Sequence, residues 1–243
     1  MKKENNQNVE LIFGRNPIRE ALKTDKLVKI YISNSFSDQD LINKIKKKNV
    51  SIILKSSNEL NNMVDGVHQG IVGEIKRYEY SSYDDILRES KKKKNPLIIV
   101  LDEINDPHNL GAIMRSADVF GASGIIVKKH NQVSLNSTVA KTSAGAINFV
   151  KVAQVNNLVN TLKELKKEGF WVVAADGSAS QLYTDIDYDF PCVLIIGNEG
   201  KGISRLVLEN SDYIVKIPME GSINSLNASV AAAVLMSRIA INH

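Results

Sequence analysis

Hydrophobic positions along the chain follow two different patterns, separated by a polar stretch. Between residues 9 and 77, short apolar runs alternate with segments whose apolar residues recur every three or four positions, the spacing of one helix face. This pattern predicts strands at 11–13, 27–32, 51–54 and 70–75 and helices at 16–22, 38–48 and 57–63. Asn16 is the expected N-cap of the first helix, with Pro17 at its first position. We therefore expect a small αβα domain over residues 9–77.

Residues 78–95 are mostly polar and end in four consecutive lysines at 91–94, just before Pro96. Such a segment is typical of a linker, here with one short helix predicted at 83–89. The lysine run suits contact with phosphate groups, and it equally suits a solvated helix end. Both interpretations stay open.

Beyond residue 96, apolar runs are separated by longer helical segments. The pattern predicts strands at 97–101, 124–128, 149–152, 170–174, 193–196 and 213–217 and helices at 110–120, 136–144, 157–168 and from 224–227 to 241. Strands separated in this way by helices form a parallel sheet covered on both faces. The fold class is therefore α/β, and residues 96–243 form its second domain. The last helix is apolar almost all round, so it is buried in the fold or against a second subunit.

Composition narrows the class of protein without identifying it. Hydrophobic residues make up 43% and charged residues 24% of the 243 positions, as in ordinary globular proteins. A net charge of +4 is compatible with an anionic partner such as RNA. Cys192 is the single cysteine, so no disulfide forms within the chain, and the composition suits a reducing, cytoplasmic compartment. Residues 1–8 are polar and expected to be disordered, and we predict neither a membrane span nor a metal site.

Two loops carry the strongest signal for a binding site. The loop at 197–202 has three glycines in six positions, and the loop at 218–225 leads into the last helix. Each follows a predicted strand, and open α/β sheets bind ligands at the carboxyl ends of their strands. Neither the P-loop spacing nor the G-x-G-x-x-G spacing is present, which argues against a nucleotide-phosphate site. The alternative is that the glycines only make a tight turn.

Three segments resemble the motifs of one enzyme family. IIGNEGKGIS (195–204), IPMEGSINSLNASVAAAVLMSRI (217–239) and DEINDPHNLGAIMRSADVFGASGIIV (102–127) resemble those of the SpoU or TrmH-type RNA 2′-O-ribose methyltransferases of the SPOUT class. GRNPIREAL (14–22) and HQGIVGEI (68–75) resemble the two ends of the RNA substrate-binding domain that precedes many of these enzymes. The resemblance implies a C-terminal SPOUT domain with a trefoil knot and an N-terminal domain similar to the ribosomal protein L30e fold.

S-adenosylmethionine (SAM) is the cofactor that this resemblance implies. In the family, SAM lies in a cleft formed largely by backbone groups of the knot, which can contact adenine and ribose without charged side chains. The matching positions here are six residues of the two loops and the last helix: Gly197, Gly202, Ile217, Met219, Leu226 and Ala231.

The resemblance also implies a set of catalytic residues, namely Asn109, Arg115, Glu199, Ser225 and Asn227. The family arginine has been proposed as a base, but a guanidinium with a pKa above about 12 is a poor proton acceptor. We expect Arg115 to clamp the target phosphate and to stabilise charge on the 2′-oxygen. Asn109, Ser225 and Asn227 would bind the ribose or order the arginine. Glu199 would orient the arginine or accept a hydrogen bond from the acceptor nucleotide.

With an N-terminal domain present, the chain most resembles the branch that methylates a guanosine of large-subunit (23S) ribosomal RNA. The alternatives are a transfer RNA 2′-O-methyltransferase and a non-catalytic RNA-binding ribosome-assembly factor. The resemblance further implies a homodimer, with the last helix, 226–241, as the interface element.

Overall fold

The computed structural model describes residues 9–23, 26–222 and 225–241, so the prediction for residues 1–8 lies outside the described residues. The chain divides into two compact units between Tyr78 and Glu79. No helix in the described ranges is long and apolar enough to cross a membrane.

The N-terminal unit is a four-stranded sheet with helices on both faces. Its elements are β1 (Val9–Phe13), α1 (Arg15–Ala21), β2 (Leu27–Ser33), α2 (Gln39–Lys47), β3 (Ser51–Lys55), α3 (Ser57–Asn61) and β4 (Ile71–Lys76). The strand order is β1-β4-β2-β3; β4 is antiparallel to both neighbours, and β2 is parallel to β3. Ile18 of α1 and Leu41 of α2 pack on one face, and Leu60 of α3 packs on the other. The predicted αβα arrangement is confirmed.

Helix boundaries in this unit follow local capping groups. Asp38 caps α2 by accepting a hydrogen bond from the backbone N–H of Leu41 at 3.0 Å. The first helix differs from the prediction, because it begins at Arg15 and its N-cap is Gly14. Gly14 has a φ of +89°, and Asn16 makes no cap hydrogen bond and lies inside the first turn. Glycine at this position allows the sharp change of direction between β1 and α1.

The second unit is a seven-stranded parallel sheet. Its elements are α4 (Tyr83–Ser90), β5 (Leu97–Asp102), α5 (Pro107–Val119), β6 (Gly124–Lys128), α6 (Ser137–Thr142), β7 (Val152–Val155), α7 (Leu158–Lys167), β8 (Trp171–Ala175), β9 (Gln181–Leu182), β10 (Cys192–Gly197), α8 (Arg205–Glu209), β11 (Tyr213–Lys216) and α9 (Ala228–Ala240). The strand order is β7-β6-β5-β10-β8-β11-β9, and each neighbouring pair is parallel. The predicted α/β class with a parallel sheet is confirmed. The trefoil knot stays a prediction.

Both faces of this sheet are covered. Helices α4, α7 and α8 contribute Ile86, Leu162 and Val207 to a core that includes Ile98 and Val100 of β5. Residues 97, 99 and 101 of β5 are also fully buried. Because alternate strand residues point to opposite faces, the second face of the sheet is covered as well. Helices α5 and α9 contact each other. Helix α5 also contacts β6, and α9 also contacts β10. Cys192 is fully buried at the start of β10, where burial raises the pKa of its thiol, as expected for a small core residue.

The segment 79–95 belongs to the second unit. Its predicted helix is present as α4, and Ile86 on that helix is fully buried against the sheet. Ser81 also forms a bridge with Ala153 next to it on the sheet edge. Although the segment is mostly polar, one apolar face of two turns is enough to bury a short helix.

Three further boundaries differ from the predictions. The strand predicted at 149–152 is Val152–Val155, and Phe149 is 77% exposed after a short 3-10 turn. Helix α5 begins at Pro107, where the Asp106 side chain accepts a hydrogen bond from the N–H of His108, so Asn109 lies inside the first turn. Helix α9 begins at Ala228 with Asn227 as N-cap, and the predicted start at residue 224 falls outside the described residues. Helix α8 was not predicted.

Candidate active site

A cleft of about 190 Å³ opens at the carboxyl ends of β8, β10 and β11. All six residues predicted to hold the cofactor line it: Gly197, Gly202, Ile217, Met219, Leu226 and Ala231. Two of the predicted catalytic residues, Glu199 and Ser225, line it as well. The structure therefore brings the two loops and the start of α9 together around one cavity.

The glycine-rich loop after β10 closes on itself. The backbone groups of Asn198 and Gly202 pair with each other, through N···O distances of 3.1 and 2.8 Å. The Asn198 side chain stabilises the turn, because its Oδ1 accepts hydrogen bonds from the N–H groups of Gly200 and Lys201 at 2.9 and 3.0 Å. Gly202 has a φ of +68°, a conformation that side chains disfavour.

The folded loop leaves no room for a side chain at Gly197. A Cβ at this position would lie 2.4 Å from the carbonyl carbon of Gly202 and 2.5 Å from the nitrogen of Ile203. Both atoms are backbone, so they cannot move aside as the end of a flexible side chain can. The close approach served by Gly197 is therefore between two parts of the loop itself.

A buried ion pair anchors the loop to β5. Asp102, the last residue of β5, is 1% exposed; its carboxylate accepts a hydrogen bond from the N–H of Ser204 at 2.8 Å and lies 2.8 Å from Lys128 Nζ. Burial by itself raises the pKa of Asp102, but the hydrogen bonds from Lys128 and Ser204 outweigh it and leave this pKa below its usual value. The same carboxylate, together with Glu103, outweighs desolvation and raises the pKa of Lys128. Both groups are thus held in their charged forms.

Three of the predicted catalytic residues form a hydrogen-bonded chain beside the cleft. The Asn109 side-chain amide donates to the carboxylate of Glu199, and the Asn227 amide donates to Asn109 Oδ1 at 2.9 Å. Asn227 Oδ1 in turn accepts hydrogen bonds from the N–H and hydroxyl of Ser229 at 3.0 and 2.6 Å, which caps α9. Asn109 is only 6% exposed on α5. The chain therefore joins the glycine-rich loop, α5 and α9 through directed polar contacts.

Comparison with known proteins identifies the family to which the second unit is similar. The model of the SpoU rRNA methylase family matches residues 96–237, which is more than half of the chain. The chain belongs to the SpoU rRNA methylase family. A second family model, described as RNA 2′-O ribose methyltransferase substrate binding, matches residues 11–81. The family resemblance stated from the sequence motifs is confirmed.

Relatives of similar length are found among curated proteins and solved structures. A Bacillus subtilis protein, assigned by its name to the TrmH family of tRNA/rRNA methyltransferases, is 43% identical over 238 residues, covering 96% of each chain. The SpoU methyltransferase AviRb from Streptomyces viridochromogenes, solved with AdoMet, has a TM-score of 0.67 at 23% identity and covers 97% of this chain and 90% of its own. An AdoMet-bound rRNA methyltransferase from Sinorhizobium meliloti has a TM-score of 0.64 at 24% identity, with 96% and 87% covered. The two structures share the fold over both units.

Arg115 stands apart from the other predicted residues of the SpoU domain. It lies six residues after Asn109 on α5, is exposed, and makes no hydrogen bond or ion pair with any residue that the structure describes. It does not line the cleft. Its guanidinium is therefore available to an anion from outside the chain, and its catalytic role stays a prediction.

Four residues that line the cleft or hold its glycine-rich loop were not predicted from the sequence. Asp176 and Lys216 line the cleft next to the ends of β8 and β11, where their positions at strand ends could have identified them. Asn198 precedes a Glu-Gly pair, which is a recognisable turn signal. Asp102 had no such signal, because its partners lie 26 and 102 residues further along the chain.

The electrostatic character of the cleft follows from these residues. Asp176 and Glu199 contribute carboxylates and Lys216 contributes an ammonium group, while residues such as Ile217 and Leu226 are apolar. Within the described residues, no group of three or more His, Cys, Asp and Glu side chains could hold a metal ion. The cleft thus offers an apolar slot with backbone donors and acceptors and an excess of negative charge.

Proposed function

We propose that this protein is a SAM-dependent RNA 2′-O-ribose methyltransferase. The observation that carries the proposal is the hydrogen-bonded chain Glu199–Asn109–Asn227, which joins the wall of the cleft to α5 and α9. An apolar cleft alone would suit many small ligands. A cleft tied through the buried amide of Asn109 to the exposed amide of Asn227 suits an enzyme that must hold two substrates in a fixed relation.

The cleft residues fit SAM by their chemistry. Gly197 and Gly202 present backbone instead of side chains, and Ile217 and Leu226 provide apolar surface for a flat adenine ring. Asp176 and Glu199 are anionic, which complements the sulfonium and amino groups of SAM. When bound, SAM would supply an electrophilic methyl group for transfer to the ribose 2′-oxygen.

The residues of the chain then have to bind and orient the acceptor. Asn227 and Asn109 are fixed by their hydrogen bonds, so their remaining polar atoms are preorganised for a ribose. We assign the binding of the target phosphate to Arg115, whose guanidinium has no partner among the described residues. Ser225, on the cleft wall, is placed to hydrogen-bond either substrate.

We further propose that the RNA is a guanosine-containing segment of large-subunit ribosomal RNA. Support comes from the substrate-binding family match at residues 11–81 and from the rRNA methyltransferase of Sinorhizobium meliloti, which resembles both units. A transfer RNA is the alternative, because the name of the Bacillus subtilis relative includes both classes of RNA.

We also propose that the protein acts as a homodimer through the exposed face of α9. Val230 is 47% exposed and Ile241 is 74% exposed, although both are large apolar residues at the two ends of this helix. The buried residues of the same helix, including Ala232 and Leu235, pack inside the chain and cannot contact a partner. The proposed interface is therefore the exposed face of α9 and not the whole helix.

Methyl transfer from tritium-labelled SAM tests the function. The protein would be incubated with ribosomal RNA and with transfer RNA lacking the modification, and the labelled position would be mapped by its resistance to alkaline hydrolysis. We expect one ribose-methylated position in ribosomal RNA, and full activity in the presence of a metal chelator. Labelling of a base, or no labelling of either RNA, would overturn the proposal; labelling of transfer RNA alone would replace its substrate.

A further inference from the structure

A second pocket lies in the N-terminal unit, where two distant segments of the chain meet. The backbone N–H of Gly14 donates to the carbonyl of Ile71 at 3.1 Å, and the N–H of Arg15 donates to Oε1 of Gln69 at 3.0 Å. These contacts bring the start of α1 against the segment 68–70, 54 positions away. The pocket encloses about 440 Å³, within the range of pockets that hold small ligands.

The side chains of this pocket combine one cation, one aromatic ring and several small polar groups. The Arg15 guanidinium lies over the Phe36 ring at 5.4 Å from its centroid. Ser33, Ser35 and Gln69 add hydroxyl and amide groups around the ring. An aromatic face beside an arginine is the arrangement on which proteins stack unpaired RNA bases, while hydroxyls and amides contact base edges or phosphate.

The backbone around the pocket is held in unusual conformations. Gly14, Gln69 and Gly70 have φ values of +89°, +51° and +78°, and Gln69 is not a glycine. A Cβ on Gly70 would lie 2.8 Å from the Ser33 hydroxyl and 3.2 Å from the Phe36 ring. Left-handed residues persist where the surrounding structure imposes them, and such positions concentrate at binding sites. The absence of a side chain at Gly70 leaves room for the Phe36 ring and the Ser33 hydroxyl beside it.

His68 fixes the segment that forms one side of the pocket. Its Nδ1 accepts a hydrogen bond from the N–H of Gly70 at 2.9 Å, so the ring proton is on Nε2 and is donated to Asn61 Oδ1, also at 2.9 Å. Both nitrogens are thereby occupied. His68 is therefore a positioning residue in this pocket, and Arg15 and Phe36 are the groups that face a ligand.

Arg15 differs from the other arginine of helix α1. Arg19 is bound to Asp38 and Asp40 at 2.8 and 3.0 Å, so its charge is satisfied within the chain. Arg15 makes no ion pair with any residue in the described ranges. Asp38 acts on Arg15 only through space, without an ion pair. A cation that is stacked on a ring and lacks a bound carboxylate is suited to an anionic ligand that also carries a flat group.

We infer that this pocket binds an unpaired nucleotide of the RNA substrate, with its base stacked at Phe36 and Arg15 and its phosphate near the Arg15 guanidinium. The inference rests on the proposed function, which supplies RNA as the ligand class. It assigns to the N-terminal unit a preference for single-stranded over duplex RNA, because a paired base has no free face to stack. A general attraction of phosphate to lysines would show no such preference.

Binding of fluorescein-labelled single-stranded RNA of mixed sequence to the full-length protein tests the inference. Arg15→Ala and Phe36→Leu should each weaken binding by about 5- to 150-fold, the loss expected for one stacked base. Phe36→Tyr keeps an aromatic face and should bind nearly as well as wild type. Arg77→Ala is the matched control, because Arg77 is an exposed arginine of the same unit with no partner among the described residues.

Equal losses in Arg15→Ala and Arg77→Ala would overturn the inference, because charge alone would then account for binding. So would wild-type affinity in Phe36→Leu, or equal affinity of the wild-type protein for the single strand and its duplex. Binding is measured without SAM, so a wild-type protein that binds single strands through this pocket but methylates no RNA refutes only the proposed function. Melting temperatures of the four variants, compared with wild type, show that any loss does not come from unfolding.

Discussion

Alanine at Gly197 should open the glycine-rich loop and thereby remove cofactor binding. The added Cβ would lie 2.4–2.6 Å from three backbone atoms of Gly202 and Ile203, well inside van der Waals contact. The loop can relieve this overlap only by moving residue 202 away from residue 198, which breaks the two backbone hydrogen bonds between them. At roughly 0.5–1.5 kcal/mol each, their loss destabilises the second unit by about 1–3 kcal/mol.

Two other glycines of the same loop provide graded controls. Gly202→Ala meets no atom within 4 Å but places a side chain at a φ of +68°, which costs about 1–2 kcal/mol. Gly200→Ala has only Asn198 Oδ1 nearby, at 3.5 Å, so we expect no measurable change. We therefore expect the free energy of unfolding to be equal in wild type and Gly200→Ala, lower in Gly202→Ala, and lowest in Gly197→Ala.

Differential scanning fluorimetry and titration calorimetry with SAM measure the two consequences. For a chain of this size, a loss of about 2 kcal/mol lowers Tm by roughly 4–8 °C. We expect Gly197→Ala to show this decrease and no detectable SAM binding. Unchanged Tm and unchanged SAM affinity would refute the geometry of the loop. Lost SAM affinity with unchanged Tm would instead indicate that Gly197 is needed because its backbone lies against the cofactor.

Other predictions follow from the same residues. Arg115→Ala and Arg115→Lys should both lower the single-turnover rate at saturating RNA by roughly 100-fold, with SAM affinity unchanged; a near-normal rate in the alanine variant would exclude a role in the reaction. Val230→Asp should convert a dimer to folded monomers in light scattering, whereas Leu235→Asp buries a charge and should prevent folding; a monomeric wild-type protein would contradict the dimer. The lowered pKa of Asp102 contributes stability above the unfolded pKa of about 3.9 and loses it as pH falls through the folded value. Chemical denaturation should therefore show Asp102→Asn less stable than wild type at neutral pH, with the difference shrinking in acid; a difference independent of pH would show that ionisation is not its cause.

The residues that line the cleft could be predicted from the sequence because they are local to two loops. Gly197 and Gly202 lie within one turn, and Ile217 and Leu226 flank a second loop that follows β11, which β8 separates from β10. Strand periodicity placed both loops at the same sheet edge, so little long-range information was needed. Prediction from the sequence therefore succeeds for residues that are close together both along the chain and in space.

Long-range side-chain pairing could not be predicted in the same way. The contact between Asp102 and the N–H of Ser204 joins residues 102 positions apart, and no periodic pattern specifies it. The contact that excludes a side chain at Gly197 could not be predicted either, because its close neighbours are backbone atoms of the same loop after it has closed. Both failures concern how a chain folds back on itself, whereas the chemical nature of the residues was clear from the sequence.

Side-chain hydrogen bonds anchor the glycine-rich loop to the end of β5 and to α5. Asp102 holds Ser204 beyond the loop, and the Asn198 amide donates to the carbonyl of Glu103 at 2.8 Å, so the end of β5 fixes the loop on two sides. Helix α5 begins five residues after Asp102 and carries Asn109, which binds Glu199 of the same loop. Any movement of the loop relative to β5 would therefore also break the contact with Asn109. If the loop and Asn109 hold donor and acceptor as proposed, in-line methyl transfer depends on their relative placement, and this closed set of contacts would preorganise it before either substrate binds.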